Sequence, residues 1–205
     1  MPVKPNREYR IAAPFRAVEG EAFRVEGYAS TFTPYVMYEI DGVAYSERIE
    51  RSAFENADMR DVIMQFDHEG MVFARRSNDS LQLDIDEHGL HIVADLSRTA
   101  DARNLYEAIS TGMVTQMSFA FTVAADYFDK DTRTRVITAI KRVYDVSAVS
   151  IPANPDTEIS ARSYFNGVIE MEKAAEAERQ KAEEARRRDL ERRHELRSKI
   201  MEVLK

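Results

Sequence analysis

Between Thr111 and Phe121 the apolar pattern changes from the period of a helix to that of a strand. Ala102, Leu105, Tyr106 and Ile109 recur at helical spacing, Thr99 can cap their N-terminal end, and Gly112 stops them. Met117, Phe119 and Phe121 then alternate with Ser118, Ala120 and Thr122, the two-residue repeat of a strand. Such a strand sends three bulky groups into a core and leaves a small polar face with a hydroxyl at Ser118 and room above it. That face suits either a second sheet or helix packed on it or the close approach of another chain.

Carried along the chain, the same reasoning predicts many strands. Residues 7–30 read as two, with Gly27 at a bulge or close approach. Val36–Ile40 and Val43–Tyr45 flank Asp41-Gly42, a pair that favours a two-residue type I′ turn. A short helix is predicted over Arg48–Ala57, and the strand Val62–Phe66 runs into Asp67-His68-Glu69-Gly70. Leu81–Ile85 and Leu90–Leu96 form a hairpin about Asp86–Gly89. The strand of Ser118 continues to about Tyr127, Asp129–Arg133 turns the chain, and Arg135–Val149 is a long final β segment closed by Ile151-Pro-Ala-Asn-Pro155. The fold class is therefore β-rich α+β, a barrel or folded sheet with helices around it.

From 163 to 205 the composition is different in kind. There is no proline and one glycine, Gly167, among dense Ala, Glu, Arg and Lys, so a long charged C-terminal helix is predicted. Its apolar positions are thin until Leu196, Ile200, Val203 and Leu204, and no heptad is sustained. The expected organisation is a folded domain over 1–162 and a solvated, salt-bridge-laced helical tail over 163–205. The tail carries 11 Lys/Arg against 10 Asp/Glu, and 1–162 carries 18 against 26, a net of −8. An acidic body argues against a phosphate-binding role, and Arg186-Arg-Arg188 reads as a solvated face rather than a nucleic-acid contact. The chain has no cysteine, which excludes disulfides and thiolate zinc sites. No apolar run approaches the ~18 residues of a membrane span, and the N-terminus lacks the apolar stretch of a signal peptide. A soluble intracellular protein is expected.

Catalytic chemistry narrows to few residues. His194 lies in the tail, and His88 and His91 flank a hairpin turn without ligand partners at a recognisable spacing, so no metal or other cofactor is expected. The acidic turn 126–133 lacks the central glycine and terminal glutamate of a calcium loop. There is no Gly-x-Ser-x-Gly elbow, which excludes an α/β-hydrolase. Ser118 and His68 remain as a possible nucleophile and base, although His68 taken alone reads as a solvent-facing histidine at a sheet rim. A third group must fix the imidazole tautomer, and Asp145, Asp67 and Glu69 are the candidates.

The ordered motifs Gly27-Tyr-Ala-Ser30, Glu47-Arg-Ile-Glu-Arg-Ser-Ala-Phe54, Asp67-His68, Asp86-Glu-His-Gly-Leu90, Ser118-Phe-Ala-Phe121 and Asp145-Val-Ser-Ala-Val-Ser-Ile-Pro-Ala-Asn-Pro155 extend over roughly residues 8–160. Together they resemble the HK97-type prohead (capsid maturation) proteases of tailed bacteriophages. The resemblance implies a serine endopeptidase with a herpesvirus-assemblin-like β-barrel that cleaves the scaffolding segment of the major capsid protein, and itself, inside the procapsid. Carried over by position, it implies catalytic roles for Ser118, His68 and Asp145, the last where many members have glutamate. The chain departs from the family pattern at Ala120, where glycine is usual, and at Phe66-Asp67 before the histidine. A homodimer is expected by the same analogy. The alternative from another class is a non-catalytic assembly or scaffolding protein that joins capsid subunits through its helical tail.

Overall fold

The computed structural model describes residues 7–11, 14, 16–150 and 155–203, and the chain divides into two units, Met1–Ala161 and Arg162–Lys205. In chain order the strands are β1 (Glu8–Ile11), β2 (Arg16–Ala17), β3 (Arg24–Thr31), β4 (Tyr35–Ile40), β5 (Val43–Ile49), β6 (Ile63–Phe66) and β7 (Glu69–Arg75). They continue as β8 (Leu81–Ile85), β9 (Gly89–Asp95), β10 (Gln116–Asp129) and β11 (Thr134–Val149), with helix α1 (Ala100–Ser110) between β9 and β10. Helix α2 (Pro155–Val203) follows. The fold is β-rich α+β.

Eleven strands form two open sheets among the described residues. The larger has the order β1-β10-β11-β5-β4, with β6 paired to β11 and β7 to β6; the smaller has the order β2-β3-β9-β8. Among the described residues the expected barrel is not closed, and β11 forks the larger sheet. Its first half pairs in parallel with β5 (Thr134↔Ser46 to Ile137↔Ile49) and its second half with β6 (Asp145↔Ile63 to Ala148↔Phe66). Residues from both sheets and α1 fill the core, including Val25, Leu90, Ile92, Met117, Phe121, Val146 and Leu105. The Phe119 and Phe121 rings stack at 4.5 Å.

Local chemistry explains most boundaries. Thr99 Oγ1 accepts the amide of Ala102 at the start of α1, and Gly112, at φ 74°, returns its amide to Ile109 at the end. Asp41 and Gly42 both take positive φ, as a type I′ hairpin requires. Gly89 is needed for close approach, since a Cβ there would stand 1.9 Å from the Ser30 carbonyl oxygen. Residues 7–30 contain three strands, not two, and their bulge falls between Tyr28 and Ser30 while Gly27 pairs regularly with Ile92. The helix expected over Arg48–Ala57 is a 3₁₀ turn at Arg51–Phe54, because pairing with β11 holds Arg48 and Ile49 in β5. The segment closing β11, Ile151-Pro-Ala-Asn-Pro155, falls outside the described residues except for Pro155.

In the second unit the helix is solvated and laced with pairs such as Arg187–Glu191 at 3.5 Å and Arg193–Asp189 at 2.8 Å. Arg188 of the basic run is likewise paired, to Glu184 at 3.7 Å. Among the described residues no helix is long and apolar enough to cross a membrane.

A buried cluster of charges lies in the large sheet. Arg10, 2% exposed, donates through Nη2 to Glu47 Oε2 at 2.7 Å, and Glu47, fully buried, also accepts Tyr35 Oη at 2.6 Å and Arg135 Nη1 at 3.2 Å. Arg135 donates to Glu8 at 2.7 and 2.9 Å. This cluster ties β1, β4, β5 and β11 together. Burial pushes the Glu47 carboxyl up, but the Arg10 guanidinium beside it outweighs that and holds it below the usual carboxylate range. Burial also raises Glu8, and its hydrogen bonds from Arg135 bring it below that range too.

A carboxylate with a depressed folded-state pKa contributes stability that is complete above its unfolded value, about 4.3, and lost as pH falls through the folded value. Urea unfolding followed from pH 7 downward should therefore show stability falling below about pH 4.5. Glu47→Gln should cost about 3–5 kcal/mol at neutral pH and flatten that acid slope, because it leaves Arg10 buried beside a neutral partner.

Candidate active site

Three elements bring the predicted residues together. The register of β10 on β11 pairs Ser118 with Ser147 and Ala120 with Asp145, so Ser118 and Asp145 share a face as diagonal neighbours. The third element is the turn between β6 and β7. Phe66 pairs with Glu69, leaving Asp67 and His68 as the two loop residues, at φ 49° and 59°. A type I′ turn demands left-handed backbone at both positions, a conformation that aspartate and histidine tolerate better than most side chains.

The turn is also fastened from outside. Asp67 accepts the Ser150 amide at 2.9 Å on Oδ1 and the Ser150 hydroxyl at 2.8 Å on Oδ2, and its own amide donates to Ala148 O at 2.9 Å. The β6–β7 turn is thus stapled to the end of β11, which aims the His68 ring at the face that carries Ser118 and Asp145. His68 Nε2 lies 2.8 Å from Ser118 Oγ, and His68 Nδ1 is hydrogen-bonded to Asp145 Oδ1. With Nδ1–H donating to the carboxylate, the Nε2 lone pair faces the Ser118 hydroxyl. That is the tautomer in which an imidazole can take the serine proton.

The candidates for the third position separate by geometry. Asp67 spends both oxygens on Ser150, and Glu69 is exposed; Asp145 is the carboxylate in contact with the ring. Two expectations are corrected. His68 is not a surface residue but only 5% exposed, because the staple folds its turn inward. The small face around Ser118 is not open either. Ser118 is 4% exposed and Ala120 fully buried, because β1 pairs with β10 there, Ile11 opposite Ser118 and Tyr9 opposite Ala120. Ala120, where glycine was expected, lies in extended strand without a left-handed φ, so alanine introduces no backbone strain.

Three further residues surround the site and were not anticipated. The Tyr9 ring meets the His68 ring edge-on at 4.7 Å. Arg7 stacks over Tyr144 at 3.6 Å and places Nη1 4.0 Å from Asp145 Oδ2. Ser147 Oγ donates to Asp145 Oδ1 at 2.9 Å. Ser147 was within reach of sequence reasoning, since residues two apart on a strand share a face. His91 lies in β9 of the smaller sheet, 3.6 Å from Glu26, and His88 in the turn between β8 and β9. Among the described residues no group of three His, Asp or Glu is placed to hold a metal ion.

The model of a family described as caudovirus prohead serine protease matches residues 12–171. The prohead protease of Enterobacteria phage HK97 is 30% identical over 154 residues, which are 73% of this chain and 64% of that protein. The chain therefore spans less than two thirds of that relative's length. No solved structure matches the chain.

The Asp67–Ser150 staple, not the exposed side of the turn, supports the fold. Asp67→Ala removes two hydrogen bonds and puts a less tolerant residue in the left-handed turn, so it should destabilise the fold by about 1–3 kcal/mol in urea titration. Glu69→Gln, on the exposed side of the same turn, should leave the unfolding midpoint unchanged.

Proposed function

The chain belongs to the caudovirus prohead serine protease family, and from that premise we propose that it is a serine endopeptidase of capsid maturation in which Ser118, His68 and Asp145 form the catalytic triad. The observation that carries the assignment is the unbroken row from the Ser118 hydroxyl through both imidazole nitrogens to the Asp145 carboxylate. In this reading His68 Nε2 removes the proton as Ser118 Oγ attacks the scissile carbonyl. Asp145 holds the Nδ1–H tautomer and stabilises the imidazolium that forms. His68 then returns the proton to the leaving amine, and the acyl-serine is hydrolysed by water activated through the same nitrogen.

The proposed substrate is the scaffolding segment of a major capsid protein, cleaved inside the procapsid in the host cytoplasm, together with the protease itself. Residues 1–162 would form the protease domain and 163–205 a packaging or self-cleaved helix. A homodimer is part of the same proposal. We take the two sheets as a relative of the herpesvirus assemblin barrel opened where β11 forks.

Co-expression with the capsid protein, followed by mass spectrometry of the products, tests the reading. Ser118→Ala or His68→Ala should slow processing by roughly 10³–10⁶-fold. Asp145→Asn should cost less than either, since that residue orients rather than reacts. Processing that persists unchanged in Ser118→Ala would rule out the serine mechanism.

A further inference from the structure

Ser147 is fully buried and sits between two strands that fix its direction, opposite Ser118 in β10 and opposite Gln65 in β6. Its Oγ donates to Asp145 Oδ1 at 2.9 Å, the same oxygen that accepts from His68 Nδ1. The other carboxylate oxygen faces Arg7 at 4.0 Å, an ion-pair separation beyond hydrogen-bond range. The hydrogen bonds that set the carboxylate plane are therefore made at Oδ1, one from the turn that carries His68 and one from the strand that carries Asp145 itself.

We propose that Ser147 is a positioning residue that locks the Asp145 carboxylate in the rotamer from which it accepts the His68 Nδ1–H. The inference rests on the protease reading and deepens it. An aspartate side chain has two free torsions, and a hydrogen bond from the histidine alone leaves the carboxylate able to swing as the ring becomes charged. A second donor, rigid because its strand is paired on both edges, keeps the acceptor in place before the proton moves. Preorganisation of this kind lowers the reorganisation required in the transition state. A buried carboxylate oxygen also requires its donors, so Ser147 satisfies a group that water cannot reach.

The test uses the intact chain and a fluorophosphonate probe, which reads nucleophilicity at Ser118 without a known cleavage sequence. The rate of Ser118 labelling is followed by intact mass across pH, and the Nδ1–H proton of His68 by NMR, a tractable assignment in a chain with four histidines. Ser147→Ala should slow labelling by about 10–100-fold, displace the acid limb of the pH–rate profile to lower pH and broaden or erase the Nδ1–H resonance. Ser147→Thr, which keeps the hydroxyl, should restore most of the rate and the resonance. A folded Ser147→Ala with wild-type labelling and an unchanged resonance overturns the proposal. Should the alanine variant not fold, Ser147→Cys is compared with Ser147→Thr, and equal labelling by the two is the overturning result. Labelling that His68→Ala does not affect would overturn the protease reading itself, whereas a His68-dependent rate indifferent to Ser147 counts against this inference alone.

Discussion

The register of β10 on β11 is the constraint on which the rest depends. Strand faces alternate with a period of two, so a slip of β10 by one residue would put Ser118 on the opposite face of the sheet from Asp145 and Ser147. The same two strands carry Phe119, Phe121, Val143 and Val146 on the face that enters the core. Burial of that apolar set is what makes a slip costly. The geometry of the site is thus held by the hydrophobic pattern of the reverse face, not by its own polar contacts alone.

Around Ser118 and around Arg135 the ladder is buried, and the polar groups there are paired. On one side Glu47, Arg10, Arg135, Glu8 and Tyr35 satisfy one another; on the other His68, Asp145, Ser118 and Ser147 do. Buried ion clusters contribute less to net stability than their contact distances imply, since desolvation offsets attraction. Removing one member is nonetheless costly, because it strands the rest. β1 takes part on both sides, with Glu8 and Arg10 in the ion cluster and Tyr9, with Arg7 just ahead of the strand, beside His68 and Asp145.

Much of this was legible in the residues. Alternation around Ser118, the Asp41-Gly42 hairpin and the Thr99–Gly112 helix are local patterns, and each appears where its chemistry demands. What escaped depends on distance along the chain. Arg10 and Glu47 are 37 residues apart and carry no mutual signal in a single sequence. His68 looked exposed because its immediate neighbours are acidic, and only the contact of Asp67 with Ser150, 83 residues away, turns it inward. The barrel expectation failed for a similar reason: alternation predicts that β11 is a strand but not that it divides its edge between β5 and β6. The order of the site motifs was legible as a family resemblance, which pointed to Asp145, while the residues alone left Asp67 and Glu69 open; the structure puts the Asp145 carboxylate against the ring.

The ladder between β10 and β11 is not regular throughout. Its register shifts all fall between Ala120 and Asp126, with regular pairing on either side. The site lies at one end of this irregular zone and the Arg135 cluster at the other. From the Ala120–Asp145 pair to the Asp126–Ile137 pair β10 advances six residues and β11 eight, the difference being taken up by the bulges. The two ends are therefore mechanically uncoupled in phase: insertions or deletions accepted within the zone leave the parity of Ser118 and Asp145 intact, whereas the same change between Gln116 and Ala120 would invert it. Length variation among relatives of this chain has a natural place to accumulate, in the middle of its two longest strands.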